Sequence, residues 1–273
     1  MFLSFVKRLP QGNSLSLNLL IYRVNMSNEE KTKSQRIVSW FSAGVSSAVA
    51  TKLALKENDI KIIYIDVDDQ HEDSIRFVRD CEKWFGQSIK ILKSKYKSVD
   101  NVCKTFQFIN SAYGAKCTGI LKKRVRQEWE LKNKADVYVW GMDASRREVL
   151  RANRIIEIMP EFRHRFPLIE KSLTKEEAHG ILRKVGIKRP IMYDLGYPNN
   201  NCIGCVKGGK GYWNKIKKDF PEIFRQRSEM ERKVGHSCIK GIFLDELDED
   251  SGRKQKIICD DCGIFCQIEF NEI

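Results

Sequence analysis

Ile37-Val38-Ser39-Trp40-Phe41-Ser42-Ala43-Gly44-Val45-Ser46-Ser47 decides the fold. Its first five residues read as a short buried strand, and the small residues after them lead into an Ala/Leu/Lys helix ending near Glu57. Such a turn lets backbone N–H groups at the helix N-terminus converge on an anion, with the Ser42, Ser46 and Ser47 hydroxyls as further donors. It is too short for a Walker loop and lacks the lysine of one. Working outward, residues 60–66 read as a second strand, 74–85 as a helix and 89–92 as a third strand. Residues 137–140 make a fourth strand ending at Gly141, 148–159 look helical, and 165–168 read as the fifth strand. The alternation predicts an α/β fold with a doubly wound, mainly parallel five-stranded sheet, Rossmann-like, whose ligands gather beyond the strands' carboxyl ends.

Farther along, Thr174-Lys175-Glu176-Glu177 is a capping box for a helix to about Val185, closed by Gly186. Residues 188–211, rich in Pro, Gly and Asn, suit an irregular loop over the sheet, and 212–232 return to helical spacing. An acidic run over 245–250 and three cysteines mark the end of the chain. The organisation expected is a disordered or leader-like extension over 1–35, a nucleotide-binding domain over 36–235, and a cysteine-rich appendage over 236–273. Residues 1–35 hold no acid before Glu29 and show no small-residue cleavage site, so a secretory signal fits poorly.

The 273 residues carry 49 Lys and Arg against 36 Asp and Glu, a net charge of +13 that favours anionic partners such as nucleotides, phosphates or nucleic acid. No apolar run approaches the ~20 residues that span a bilayer, which excludes a transmembrane helix and argues against a membrane partner. Nine cysteines, an odd count with two C-x-x-C pairs, argue for a reducing, cytoplasmic setting with metal or catalytic thiols rather than a disulfide framework.

The strand and its Ser42–Ser47 loop resemble the pyrophosphate loop of the adenine-nucleotide hydrolase-like superfamily, usually SGGxDS. Further stretches resemble its phosphoadenylylsulfate (PAPS) reductase branch. Asp66-Val67-Asp68-Asp69-Gln70-His71-Glu72-Asp73-Ser74 stands where that branch has an acidic or amide turn after the second strand. Gly141-Met142-Asp143-Ala144-Ser145-Arg146 resembles its stretch after the fourth strand. The downstream order is the most specific: Pro167-Leu168, Leu173-Thr174, Pro190-Ile191-Met192-Tyr193-Asp194-Leu195-Gly196-Tyr197, then Cys202-Ile203-Gly204-Cys205. The resemblance spans most of the chain. It implies nucleotide contacts from Ser42, Ala43, Gly44, Val45, Ser46, Ser47, Asp66, Lys122, Arg124, Gly141, Asp143 and Arg146.

Two departures bear on the reaction. Ala43 replaces a loop glycine, and Ser46 stands where ATP pyrophosphatases have Asp, so metal-assisted attack on ATP, and with it a need for Mg, is unsupported. The Glu-Cys-Gly-x-His motif that supplies the family's nucleophilic thiol is absent as such. The nearest substitute, Asp261-Cys262-Gly263-Ile264-Phe265-Cys266, makes Cys262 and Cys266 the catalytic candidates.

Cys117-Thr118 before Leu121-Lys122-Lys123-Arg124 resembles the Cys-Cys segment of iron–sulfur adenylylsulfate (APS) reductases. With Cys202 and Cys205 that gives three of the four thiolates of a [4Fe–4S] cluster, the fourth coming from Cys238 or the tail. The tail set Cys259-x-x-Cys262-x-x-x-Cys266, with Cys238 and His236 upstream, suits tetrahedral Zn instead. The two sites compete for ligands. Basic side chains outnumber acidic ones 13 to seven from Lys116 to Arg165, and five more lie between Lys207 and Lys218. They mark either a solvated face or an anion-binding one.

What the resemblance implies first is an enzyme that binds PAPS, APS or ATP and carries out thiol-dependent sulfonucleotide reduction with a thiol reductant as partner. The second reading is an ATP-dependent sulfurtransferase acting on nucleic acid, as in DNA phosphorothioation or tRNA thiolation. The third is a non-catalytic, zinc-stapled protein that binds nucleotides or nucleic acid.

Overall fold

The computed structural model describes residues 35–55, 59–111 and 114–253. All but the last residue of the extension expected over 1–35, and the tail cysteines Cys259, Cys262 and Cys266, lie outside the described residues. The described residues from Arg36 to Arg253 belong to one compact unit.

Strand β1 (Ile37–Phe41) is buried at all five positions, as a central parallel strand covered on both faces must be. It leads into helix α1 (Val45–Leu55), followed by β2 (Ile60–Asp66), α2 (Asp73–Phe85), β3 (Lys90–Lys93) and α3 (Val99–Phe106). A two-residue hairpin, β4 (Asn110–Ser111) and β5 (Gly114–Ala115), precedes a π-helix over Thr118–Lys123 that runs into α4 (Arg124–Glu130). Then come β6 (Val137–Val139), α5 (Arg146–Ile158), β7 (Arg163–Arg165), α6 (Pro167–Glu170), α7 (Lys175–Lys184), α8 (Ile191–Asp194), α9 (Lys210–Asp219) and α10 (Pro221–Val234).

The sheet order is β3-β2-β1-β6-β7, all parallel. The chain winds one way from β1 to β3 and the other way from β1 to β7, so the crevice of a doubly wound sheet opens beyond the carboxyl ends of β1 and β6. One face packs Phe41, Tyr64, Phe77 and Leu168 under α1, α2 and α7. The other is aromatic, with Trp40 edge-on to Trp129 at 5.5 Å and to Tyr138 at 5.9 Å.

The fifth strand falls on Arg163–Arg165, not on the 165–168 expected from its apolar pair. Pro167, with no N–H to give a ladder and φ already helical, opens α6 instead. The helical stretch expected over 212–232 is two helices, because Pro221 starts α10 directly after Phe220 caps α9. The expected capping box is present: Thr174 Oγ1 accepts from Glu177 N at 3.2 Å, and Glu177 Oε2 accepts from Thr174 N at 2.7 Å.

Residues 236–253 pack on the same core as α3, α9 and α10. Cys238, Leu244 and Leu247 are buried beside Val102, Trp213 and Met230. The fully buried Glu231 carboxylate accepts from the backbone N–H groups of Cys238 and Leu244, the latter at 2.6 Å. Among the described residues no helix is long and apolar enough to cross a membrane.

Candidate functional site

The loop after β1 is shaped by one side chain. Ser47 Oγ accepts from Ser42 N at 3.2 Å, Ser42 Oγ at 2.9 Å and Gly44 N at 3.3 Å, and donates to Gly44 O at 2.8 Å. Those bonds curl the loop around the first turn of α1. Ala43 sits at φ +54°, in the left-handed region that favours the glycine it replaces, and its methyl group is fully buried. Val45 N donates to the Tyr193 hydroxyl at 3.4 Å. Three loop N–H groups, of Ser42, Gly44 and Val45, are therefore already engaged by long bonds within the protein. Among the described residues the N–H groups of Ser46 and Ser47 have no protein acceptor. They are orphan donors of a helix start, where the macrodipole also favours an anion.

Gly141, at the end of β6, closes on this loop from the neighbouring strand. A Cβ there would stand 2.3 Å from Ser47 Cα and 2.6 Å from Ser47 N, so only glycine lets the two turns touch. Asp143 follows, buried, with Oδ1 accepting from Ser145 N at 3.0 Å, which fixes the start of α5. Arg146 is exposed in the first turn of that helix. Asp66, at the end of β2, pairs with Lys93 at 2.7 Å. Arg124 pairs with Glu128 at 2.8 Å along an exposed helix face, whereas Lys122 is half-buried close to Cys202. Lys122 favours the Cys202 thiolate, and Lys207 does the same for Cys117. His71 serves the backbone, its Nδ1 accepting from Asp73 N at 3.1 Å at the start of α2.

Four residues not expected at the site complete the surroundings. Asn200 donates to Ala43 O at 2.7 Å and to Ser74 Oγ at 3.1 Å, clasping the segment before Cys202 onto the loop. Lys175 reaches Pro198 O and Asn199 Oδ1, lies 5.8 Å from the Tyr193 ring centre, and has its pKa lowered by burial against the pull of Asp143 and Glu148. Asp69 and Arg227 form a buried ion pair that holds the Cys202–Cys205 turn from both sides: Ile203 N donates to Asp69 O at 2.8 Å, and Arg227 Nε to Gly204 O at 3.3 Å. Gly204 takes φ +65° in that turn, and the Tyr212 hydroxyl spans it, accepting from Cys205 N at 2.9 Å and donating to Cys202 O at 3.3 Å.

Cys117, Cys202 and Cys205 stand near enough that a charge on one raises the pKa of another, and Cys103, which the sequence did not single out, lies beside Cys117. Burial pushes the Cys202 thiol up to about 12, with Lys122 pulling the other way. It pushes Cys103 to about 12, and raises Cys117 and Cys238 as well. These four are neutral thiols near pH 7. Among the described residues no three Cys, His, Asp or Glu side chains are arranged to hold a metal ion. Of the thiols expected to ligate iron or zinc, Cys117, Cys202 and Cys238 share one packed region without forming a ligand set there.

Behind Tyr193 lies His179, edge-on at 4.6 Å and buried. Burial, then Arg189 and Lys175, depress its pKa to about 3. Below its ordinary value near 6.5 the unfolded chain takes a proton that the folded chain refuses. Its contribution to stability is therefore full above about pH 6.5 and is lost as pH falls toward about 3, by at most ~1.4 kcal/mol per pH unit. Denaturant unfolding between pH 7 and 4 should show that decline, and His179→Gln should flatten it; equal slopes would assign the acid sensitivity elsewhere.

The geometry places a turn with free N–H donors at the switch point of the sheet, beside a thiol-rich turn. The family model described as "Phosphoadenosine phosphosulfate reductase domain" matches residues 36–211. Two uncharacterized proteins of Methanocaldococcus jannaschii, MJ0973 and MJ0066, are each 25% identical to this chain, over 76% and 72% of it and over 50% and 41% of their own lengths. The chain thus spans about half the length of the curated relatives it matches. A crystal structure of PAPS reductase from Candida auris, a phosphate complex, is similar at a TM-score of 0.45 and 14% identity over 70% of this chain and 88% of that one. Because the family model covers more than half of the sequence, the chain belongs to the phosphoadenosine phosphosulfate reductase domain family.

Proposed function

We propose that the protein binds an adenine nucleotide with a phosphate or sulfate end against Ser46 N and Ser47 N, and carries out thiol-dependent reduction of a sulfonucleotide. The observation that carries this reading is the Asn200 clasp. Asn200 is bonded to the loop carbonyl of Ala43, and two residues of chain reach at most ~7 Å, so Cys202 is kept close to the bound anion. Lys122 offers a cation beside that thiol, and Lys175 a second one near Asp143.

In the proposed step a cysteine thiolate attacks the sulfur of the sulfonucleotide. The sulfur–oxygen bond to the phosphate breaks, the nucleotide leaves with that electron pair, and the enzyme carries an S-sulfocysteine. A second thiolate then attacks the cysteine sulfur, forming a disulfide and releasing sulfite; the thiol pair is oxidised and the sulfur reduced. Burial keeps Cys103, Cys117, Cys202 and Cys238 as neutral thiols, so we assign the first attack to Cys262 or Cys266, whose Asp-Cys-Gly segment stands nearest the family's thiol motif, and the second attack to Cys202, which Asn200 holds by the anion and Lys122 helps to ionise.

Incubating the reduced protein with sulfur-labelled PAPS tests this. The expected result is label on the protein that a thiol reductant converts to sulfite, lost in Cys262→Ser or Cys266→Ser but kept in Cys238→Ser. Consumption of ATP with no labelling from PAPS would favour the sulfurtransferase reading. Nucleotide binding with neither reaction would favour the non-catalytic one.

The loop itself yields a further prediction. Ser47→Ala removes the acceptor for three groups and leaves Gly44 O without its hydroxyl donor, at a cost of ~1–3 kcal/mol in loop order. Nucleotide affinity measured by calorimetry should fall about tenfold or more; an unchanged affinity would mean that the nucleotide does not use this loop.

A further inference from the structure

A cleft of about 320 Å³ opens at the C-terminal end of α7, lined by none of the phosphate-loop residues. Arg183, Lys188 and Arg189 line it, with Asp194 as the one carboxylate of the lining among the described residues. That carboxylate is taken by Arg189 Nε at 2.6 Å, so the cleft keeps an excess of positive charge. Its rim is fixed rather than loose: the Arg76 guanidinium donates to Lys188 O at 2.8 Å and to Arg189 O at 3.1 Å.

His179 also lines the cleft and is 2% exposed. Its Nδ1 stands 3.5 Å from Arg189 Nη1. A guanidinium only donates, so Nδ1 accepts and the ring proton sits on Nε2. That buried Nε2–H has no hydrogen-bond partner among the described residues. An orphaned donor of this kind is costly, and buried polar groups are nearly always paired with protein, water or a ligand.

We propose that this cleft is a second anion site, taking a small tetrahedral oxyanion, phosphate or sulfate, whose oxygens accept from His179 Nε2–H and from the Arg183 and Lys188 side chains. An oxyanion meets both the charge excess and the unused donor, and Leu182 and Ile187 on the lining provide an apolar wall against which charge-assisted bonds strengthen. A cation would meet the Arg183 and Lys188 charges, with the Asp194 carboxylate already taken by Arg189. The site adjoins the nucleotide loop through one residue: His179 lies edge-on to Tyr193, whose hydroxyl accepts from Val45 N.

The test uses the full chain, saturated with adenosine 3′,5′-bisphosphate so that the loop is occupied, and titrates inorganic phosphate while following the four imidazole side chains by nitrogen-15 NMR. The expected result is a saturable shift and slowed exchange of the His179 Nε2–H. The double variant Arg183→Ala/Lys188→Ala, at exposed positions, should weaken it at least ~10-fold without altering unfolding in the absence of phosphate. No saturable change at His179 above about 10 mM phosphate, where even a millimolar site is filled, would overturn the proposal. So would an unchanged affinity in the double variant. The nucleotide is read separately at the Ser46 and Ser47 amides, so its failure to bind there would count against the nucleotide reading and leave the His179 result standing.

Discussion

Replacing Gly141 by alanine should unfasten the nucleotide crevice and cost the protein much of its stability. The added methyl carbon would lie 2.3 Å from Ser47 Cα and 2.6 Å from both Ser47 N and Cβ, and backbone cannot swing aside as the end of a side chain can. Either β6 separates from α1 or the loop loses its curl. We expect a cost near the upper end of the ~1–3 kcal/mol typical of overpacking, or beyond it. At ~3 kcal/mol the Tm falls by roughly 6–12 °C in a domain of this size. Nucleotide affinity should be lost along with the loop geometry. A Gly141→Ala protein that melts and binds like the parent would mean that β6 and α1 do not meet as described.

Arg227→Met should be comparably damaging for a different reason. The pair with Asp69 is almost wholly buried, the two side chains being 4% and 9% exposed. Removing the guanidinium strands a carboxylate in the core, at a cost of ~3–5 kcal/mol and a fall in Tm on the order of 10 °C. It also releases Gly204 O, one of the ties on the cysteine turn. Adding Asp69→Asn should restore most of the lost stability, because a neutral amide can keep accepting from Val99 N, to which Asp69 Oδ2 is bonded at 2.6 Å. Chemical denaturation of the single and double variants measures this, and a double variant no more stable than Arg227→Met would place the role of the pair in packing rather than charge.

The strand, the small-residue loop and the helix after it were legible because apolar runs and small-residue turns are local signals. So was the capping box at Thr174 and Glu177, where both partners lie within one turn. The fifth strand was misplaced by two residues because Phe166 and Leu168 look like strand residues, and the helical start set by Pro167 outweighs them. The site was legible only in outline. Nothing local in Asn199-Asn200-Asn201 tells which amide clasps Ala43, and Asp69 and Arg227 are 158 residues apart, so their pairing belongs to tertiary structure alone. Lys175 read as one polar residue of a helix start, and its place near Asp143 and Tyr193 depends on how α7 packs on α1. Cys117, Cys202 and Cys238 show the same limit: spacing suggested ligands, but burial, which spacing does not encode, holds these groups protonated.

The most direct measurement of nucleotide binding at the loop is a crystal structure of the full chain with adenosine 3′,5′-bisphosphate at saturating concentration. The expected result is a phosphate group whose oxygens accept from Ser46 N and Ser47 N, with Gly141 at van der Waals distance and Cys202 on the side of the turn that Asn200 clasps. A nucleotide bound elsewhere on the protein, with those two N–H groups facing solvent, would contradict it.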